Sequence, residues 1–320
     1  MAEKIKVVAV VGPTGSGKTG LSIELAKAFG GEIICADSMQ IYKGFPIASA
    51  APTAEEKGNI PHHLFEFLEP ETAFSVSDYV KLAKDKINEV ASRGKLPIIV
   101  GGTGLYIDSL INNIEFSGEE DNSAVRDSLV REAEAVGYAE MLERLRKIDP
   151  VAAEKLHEND KKRIIRGLEI FALHKITPTE MNARSKEVPS PYDCLYIGTV
   201  CENRENLYTR IETRVDKMVE AGLIEEIKAS RERLGATSGQ AIGHKELYPY
   251  LDGEISLDEA LQNMKTSTRR YAKRQLTWFR RNEAINWLFV DSEEDIFKKA
   301  NALVSRHLEE KEKGSKYNLQ

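Results

Sequence analysis

Apolar positions along the chain change their period several times, and each change marks an element. Ile5-Lys6-Val7-Val8-Ala9-Val10-Val11 is a short β-branched run, the pattern of a strand buried in a parallel sheet. The period then becomes helical: Leu21, Leu25, Ala28 and Phe29 share a face until Gly30-Gly31 stop the helix. Glu32-Ile33-Ile34-Cys35-Ala36 is predicted as a second strand, ending at Asp37. A long connection rich in turn residues follows, and in it Pro61-His62-His63-Leu64 is expected to shape a loop. A helix opens near Ser75 or Ser77, with Tyr79, Leu82, Ala83, Ile87, Val90 and Ala91 on its apolar face and Gly94 at its end. A third strand, Leu96 to Val100, runs into Gly101-Gly102-Thr103-Gly104.

From about Glu115 the pattern changes. Residues 118–185 are charged and helix-forming, without a strand candidate, and are bounded by Gly118-Glu119-Glu120-Asp121 and by Glu187-Val188-Pro189-Ser190-Pro191. Leu195 to Val200 again reads as a core strand. A helix from about Asn206 to Ala221 turns Ile211, Val215 and Met218 inward and Arg210, Arg214 and Lys217 elsewhere, another covers roughly Leu257 to Arg281, and Ile285 to Val290 closes the sheet. A charged helical block between two parts of an α/β sheet reads as an insertion. The expected division is an α/β core of residues 1–116 and 191–311, a helical domain of 117–190 and a flexible tail of 312–320.

Composition narrows the classes. A formal net charge of -6 over 320 residues argues against indiscriminate coating of nucleic acid. The 3 cysteines, Cys35, Cys194 and Cys201, form no C-x-x-C pair and, with no signal peptide in view, read as reduced thiols of a cytoplasmic protein. The early apolar run is far short of the ~20 residues that span a bilayer, so no membrane association is expected.

The chemistry starts between the first strand and the first helix. Gly12-Pro13-Thr14-Gly15-Ser16-Gly17-Lys18-Thr19 has the G-x-x-x-x-G-K-[ST] form of a phosphate-cradling loop, flanked as such a loop requires. Glycine lets successive N–H groups point inward, and the helix N-terminus adds its partial positive charge. Lys18 supplies a point charge and Thr19 a hydroxyl for a magnesium ion. The fold expected is therefore α/β, a P-loop NTPase-like parallel sheet flanked by helices, with an inserted all-helical domain. Ligands of open parallel sheets sit beyond the carboxyl ends of the strands, which puts Asp37 beside the loop. A P-loop kinase or ATPase would hold magnesium with an aspartate at a core strand end. Here the third strand ends in glycines and threonine, so Asp37 is open to two readings, magnesium partner or general base.

Two basic clusters depart from the acidic average: Lys161-Lys162-Arg163-Ile164-Ile165-Arg166, and Arg269-Arg270-Tyr271-Ala272-Lys273-Arg274 running on to Trp278-Phe279-Arg280-Arg281. Cations interleaved with aromatics suit an RNA backbone and its unstacked bases. The plainer reading is a solvated helix face over a packed core.

Taken together these stretches resemble the bacterial tRNA dimethylallyltransferases. The resemblance is carried by Gly12 to Thr19, Asp37-Ser38-Met39-Gln40-Ile41-Tyr42, Pro61-His62-His63-Leu64, Gly101-Gly102-Thr103-Gly104-Leu105-Tyr106, Asp149-Pro150, Asn159-Asp160, Arg163 to Glu169, and Ala272 to Arg280. It implies transfer of a dimethylallyl group from dimethylallyl diphosphate to N6 of the adenine 3′ of the tRNA anticodon, with magnesium. It also implies that the cradle, from Gly12 to Thr19, holds the diphosphate, with Thr14 and Arg214 contacting it and Lys18 neutralising its charge, and that Asp37 is the general base. The same resemblance assigns contacts with the anticodon stem-loop to Asp37, Ser38, Met39, Gln40, Thr103, Arg126, Lys162, Arg163, Arg166, Arg269, Arg270, Lys273 and Arg274, in a protein expected to be a monomer. Two departures stand out. Ile47-Ala48-Ser49-Ala50-Ala51-Pro52 lacks the glycine and lysine usual in the family, and His244 replaces a tyrosine. The competing readings are a P-loop kinase of a small metabolite, an adenylate dimethylallyltransferase and a non-enzymatic RNA-binding module.

Overall fold

The computed structural model describes residues 3–116, 123–292 and 294–314. Strand β1 (Ile5–Val11) leads through the glycine-rich loop into helix α1 (Lys18–Phe29), and β2 (Glu32–Cys35) follows. The connection holds two single-turn helices, α2 (Pro46–Ser49) and α3 (Ala54–Lys57), and a two-residue strand, β3 (His62–His63). Helix α4 (Val76–Ser92), strand β4 (Pro97–Gly101) and helix α5 (Gly104–Ile111) complete this half. The sheet is six-stranded in the order β3-β2-β4-β1, then β5 (Tyr192–Val200) and β6 (Ile285–Phe289), and every pairing is parallel.

Val7 to Val11 are fully buried in β1, and Ile98 and Ile99 in β4, as strands covered on both faces must be. Val8, Val10, Ile33, Ile98, Val100 and Ile197 pack with Leu21 and Leu25 of α1. Each such side chain, fully buried, contributes roughly 1.5–3 kcal/mol relative to exposure. Helix α4 starts at Ser75, whose hydroxyl accepts the amide of Asp78 while the Asp78 carboxylate accepts the amide of Ser75. That capping box selects the first of the two expected starts.

The edge strand β3 falls where a loop was expected. Two residues are too few to show a period of two, and what fixes them is a tertiary contact. Buried Glu32 at the start of β2 accepts from His63 Nε2 (2.6 Å) and from Arg93 (2.7 Å). His62 donates from Nδ1 to the carbonyl of Ile60 (2.8 Å), so both histidines shape backbone.

The chain divides into two compact units, Met1–Ile111 with Pro191–Gln320, and Asn112–Ser190. The second contains α6 (Ser123–Val136), α7 (Tyr138–Ile148), α8 (Pro150–Ala153), α9 (Lys161–His174) and α10 (Pro178–Arg184). Its core is Leu129, Ala133, Met141, Leu142, Leu145, Ala153, Ile164, Ile165 and Leu168. Asp149 caps α8 through the amide of Ala152 and also accepts from the amide and hydroxyl of Thr179, tying α10 to α8. The boundary read at Gly118 to Asp121 lies outside the described residues.

The chain returns through β5 to α11 (Arg204–Glu220), α12 (Leu223–Ser230), α13 (His244–Leu251) and the 23-residue α14 (Leu257–Phe279), then β6 and α15 (Ile296–Gly314). Helix α15 continues to Gly314, and residues 315–320 of the expected tail lie outside the described part.

Candidate active site

The glycine-rich loop is stapled to its surroundings. A Cβ on Gly12, at φ 146°, would come 2.4 Å from the carbonyl oxygen of Thr199, so only glycine brings β1 that close to β5. Ser16, fully buried, donates to the carbonyl of Pro13 (2.8 Å) and shares a 2.7 Å hydrogen bond with Thr199 Oγ1. From α11, Arg210 donates to the carbonyl of Gly15 and Arg214 to Thr14 Oγ1, each at 2.8 Å. Lys18, the first residue of α1, donates to the carbonyl of Pro13 (3.2 Å). Part of Lys18 still faces the cavity, yet burial pushes its pKa down to about 8; Asp37 works against that shift and Arg214 with it. Burial also lowers the pKa of Arg214, opposed by Asp37 and Glu56.

Asp37 sits just past β2, where the chain turns. Its Oδ1 accepts the amide of Met39 (3.0 Å), a side-chain-to-backbone turn that fixes the carboxylate. The Ser38 amide donates to Thr103 Oγ1 (2.9 Å), and the Thr103 amide to the carbonyl of Ala36 (3.1 Å), which binds the β2 and β4 ends together. Gln40 Nε2 donates to the carbonyls of Ser49 and Ala50. Glu226 of α12 accepts the amides of Ile47 (2.9 Å) and Ala48 (2.8 Å). The segment that departs from the family pattern is thus held through its backbone, while the Ala48 side chain packs against the apolar residues around it.

These groups line one cavity of about 280 Å3. Thr14, Lys18, Thr19 and Arg214 form its polar end; Asp37, Ser38, Met39 and Gln40 stand on the wall; Ile211, Val215, Met218, Ile242 and Met264 supply apolar surface. Tyr271 and Arg274 of α14 complete it, the Arg274 guanidinium 5.6 Å from the Tyr271 ring centroid. Burial raises the Tyr271 pKa well above the ordinary phenol value, with Asp37 adding to the shift, so the hydroxyl keeps its proton.

The remaining residues singled out in the sequence fall into two groups. Gly12, Pro13, Gly15, Ser16 and Gly17 build the loop, and Thr103 braces Ser38. On α14, Arg269 pairs with Glu212 (2.9 Å), while Arg270 and Lys273 are exposed. Arg126, Lys162, Arg163 and Arg166 belong to the other unit. There Arg126 and Arg166 both donate at 2.8 Å to one oxygen of Glu169, which is 1% exposed. Sequence reasoning gave no role to Gln275 and read Tyr271 only as an aromatic among the cations of α14, because an amphipathic period reveals only which side is buried. His244 is explained by packing. It is fully buried between Phe45 and Tyr248, 3.1 Å from Ser230 Oγ, and burial lowers its pKa to about 4, so it is a neutral core residue.

A glycine-rich loop at the carboxyl edge of a parallel sheet, with a lysine, two threonines and an arginine turned into one pocket, defines a P-loop-type α/β protein. The family model for IPP transferase matches residues 40–282, and the chain belongs to that family. The tRNA dimethylallyltransferase of Caldanaerobacter subterraneus subsp. tengcongensis is 46% identical over 292 residues, 90% of this chain and 92% of its own. That of Halalkalibacterium halodurans is 44% identical over 315 residues, 97% of this chain and 100% of its own. The crystal structure of the tRNA isopentenylpyrophosphate transferase from Bacillus halodurans superposes with a TM-score of 0.73 at 42% identity, covering 98% of this chain and 99% of its own. A eukaryotic dimethylallyltransferase, described as acting on tRNA, superposes with a TM-score of 0.81 at 31% identity over 95% of this chain and 79% of its own.

Proposed function

We propose that this chain is a tRNA dimethylallyltransferase that moves the dimethylallyl group of dimethylallyl diphosphate to N6 of the adenine 3′ of the anticodon and releases diphosphate. The observation that carries the reading is the cavity itself, with Lys18, Thr14 and Arg214 at one end and the Asp37 carboxylate on its wall. Held at the cradle, the diphosphate leaves as the allylic C–O bond breaks, and the cations neutralise the charge that develops on it. N6 forms the new C–N bond at C1 of the prenyl group. Asp37, steadied by the Met39 amide, takes the N6 proton.

Magnesium fits the donor set. Thr19 offers a hydroxyl, a hard oxygen donor that suits this ion, which characteristically takes few protein ligands and completes its shell with substrate phosphates and water. Bound there with diphosphate, it would supply further charge neutralisation to the leaving group. The adenine must leave its stack, at a cost of a few kcal/mol by the usual estimates. Thr103 in the loop after β4 and the basic residues of α14 and of the helical unit would offset this through the anticodon stem-loop: Arg269, Arg270, Lys273 and Arg274 in one unit, and Arg126, Lys162, Arg163 and Arg166 in the other. We read the protein as a monomer acting in the cytoplasm. Among the described residues no helix is long and apolar enough to cross a membrane.

The test offers labelled dimethylallyl diphosphate and magnesium with unmodified tRNA, AMP and ATP in parallel. Label is expected in tRNA alone. Label in a free nucleotide would replace this reading with an adenylate-type enzyme, and label nowhere, with ATP consumed, would replace it with a kinase.

A further inference from the structure

The cradle and the basic helix are joined by one side chain. Gln275 of α14 is 5% exposed. Its Oε1 accepts the amide of Thr14 at 2.8 Å, and its Nε2 donates to the carbonyl of Gly102 at 3.0 Å. The amide therefore spans two loops, the phosphate loop after β1 and the loop after β4 that carries Thr103. Gly102 leaves room for it, since a Cβ there would come 2.1 Å from Gln275 Nε2. A primary amide is the side chain that satisfies an N–H and a C=O at once. A carboxylate would face the Gly102 carbonyl with no proton to give, and a hydrocarbon would leave the Thr14 amide and the Gly102 carbonyl without their partner.

Thr14 is bound from two sides. Gln275 holds its amide, and Arg214 holds its hydroxyl at 2.8 Å. The orientation of the Pro13–Thr14 peptide, and with it the cavity-facing hydroxyl, thus depends on where α14 lies. One residue before Gln275 is Arg274, and one turn before it is Tyr271; both line the cavity. Trp278 fixes the same stretch of α14 by donating from Nε1 to Asp108 (2.8 Å), and a Cβ on Gly104 would strike its ring at 2.1 Å. Helix and loop therefore have few ways to move independently.

We infer that Gln275 is a positioning residue that couples RNA docking on α14 to the diphosphate cradle, so that filling one site changes affinity at the other. The inference rests on the proposed function, because it takes the basic face of α14 as the RNA-binding surface. By linkage the coupling is reciprocal, and the usual range for such a coupling is about 5- to 150-fold.

The experiment measures the Kd of unmodified tRNA with and without saturating inorganic diphosphate and magnesium, for the wild-type chain, Gln275→Leu and Gly102→Ala. In the wild type diphosphate should tighten tRNA binding at least fivefold. In Gln275→Leu that factor should fall below two, while tRNA affinity without diphosphate stays within twofold. Gly102→Ala displaces the amide from its other end: the clash is with the tip of a flexible side chain, and the contact with Asp37 Oδ2 would be an ordinary 3.6 Å. It should show the same loss of coupling if Gln275→Leu fails to fold, and the double variant should lose no more than either single one. A purely structural glutamine would lower the melting temperature and leave the coupling factor alone; that result, or a wild type without coupling, overturns the inference. Failure of the proposed function would show separately, as the absence of prenyl transfer to tRNA by the wild type.

Discussion

The two units place their charges differently. In the α/β unit Lys18, Arg214, Asp37 and Arg274 surround a cavity and keep donors and acceptors turned toward it. In the helical unit Arg126 and Arg166 converge on Glu169, a buried carboxylate of their own unit, while Lys162 and Arg163 stay exposed. Despite burial, which raises it, the Glu169 pKa is held below its ordinary value by the hydrogen bonds from Arg126 and Arg166. The same residue type thus faces a cavity in one unit and an internal carboxylate in the other. Removing a cation should cost function in the first and stability in the second.

The largest effect is expected at Asp37. Asp37→Asn keeps the size of the group and an oxygen for the Met39 amide, but a neutral amide does not take a proton. Prenyl transfer should fall by about 10²- to 10⁴-fold, the usual worth of a general base, with tRNA affinity within a few-fold of wild type. Turnover near that of the wild type would remove Asp37 from the chemistry and leave it as a magnesium ligand or a turn residue.

Next in size, and in the other unit, is the double variant Arg126→Ala with Arg166→Ala. It strands the Glu169 carboxylate, for which a loss of about 3 kcal/mol is the expected scale. Each single variant should cost under ~1 kcal/mol, because the remaining half-exposed arginine still pairs. Calorimetric unfolding of the full chain reads the difference. The loss should shrink at acid pH, where the stranded carboxyl is protonated. Two singles that add to the double would mean that Glu169 does not join them.

Lys18 gives a smaller and pH-dependent effect. Its pKa of about 8 lies below the ordinary 10.5, so the cost of its burial is fully present below pH 8. That cost is relieved as pH rises from 8 toward 10.5, and the folded free protein gains stability in that window. The cradle loses its cation over the same range. Affinity for inorganic diphosphate should therefore drop about tenfold between pH 7 and pH 9, and Lys18→Arg, charged throughout, should flatten the profile. A flat wild-type titration would contradict the assignment of Lys18 to the anion.

How much of this was legible depended on whether the signal was local. The β-branched runs of β1 and β4, the loop between Gly12 and Thr19, and Asp37 at a strand end are local patterns, and each stands where it was read. β3 was not legible, because two residues carry no period and Glu32 and Arg93, which fix it, come from distant parts of the chain. Gln275 was visible only as a polar residue among cations. Its partners, Thr14 and Gly102, become neighbours through the sheet topology alone. For Arg126 and Arg166 local reading reaches only the residue type, which suggests RNA; their internal partner Glu169 becomes visible only through the packing of α6 on α9.

The smallest effect is the one that decides what the helical unit does. Lys162 is exposed on α9 and makes no ion pair among the described residues, so Lys162→Ala should leave the melting temperature unchanged. If the unit contacts the phosphate backbone, tRNA affinity should fall about two- to threefold at physiological salt, and the salt slope of log Kd should drop by roughly one charge. Arg274→Ala should do the same from the α/β unit, by a somewhat larger factor, because Arg274 also lines the cavity. Similar slopes for both would mean that the two units share the RNA charge between them. A reduced slope for Arg274→Ala alone would confine RNA contact to α14 and leave the cations of the helical unit to the internal role that Glu169 already gives two of them.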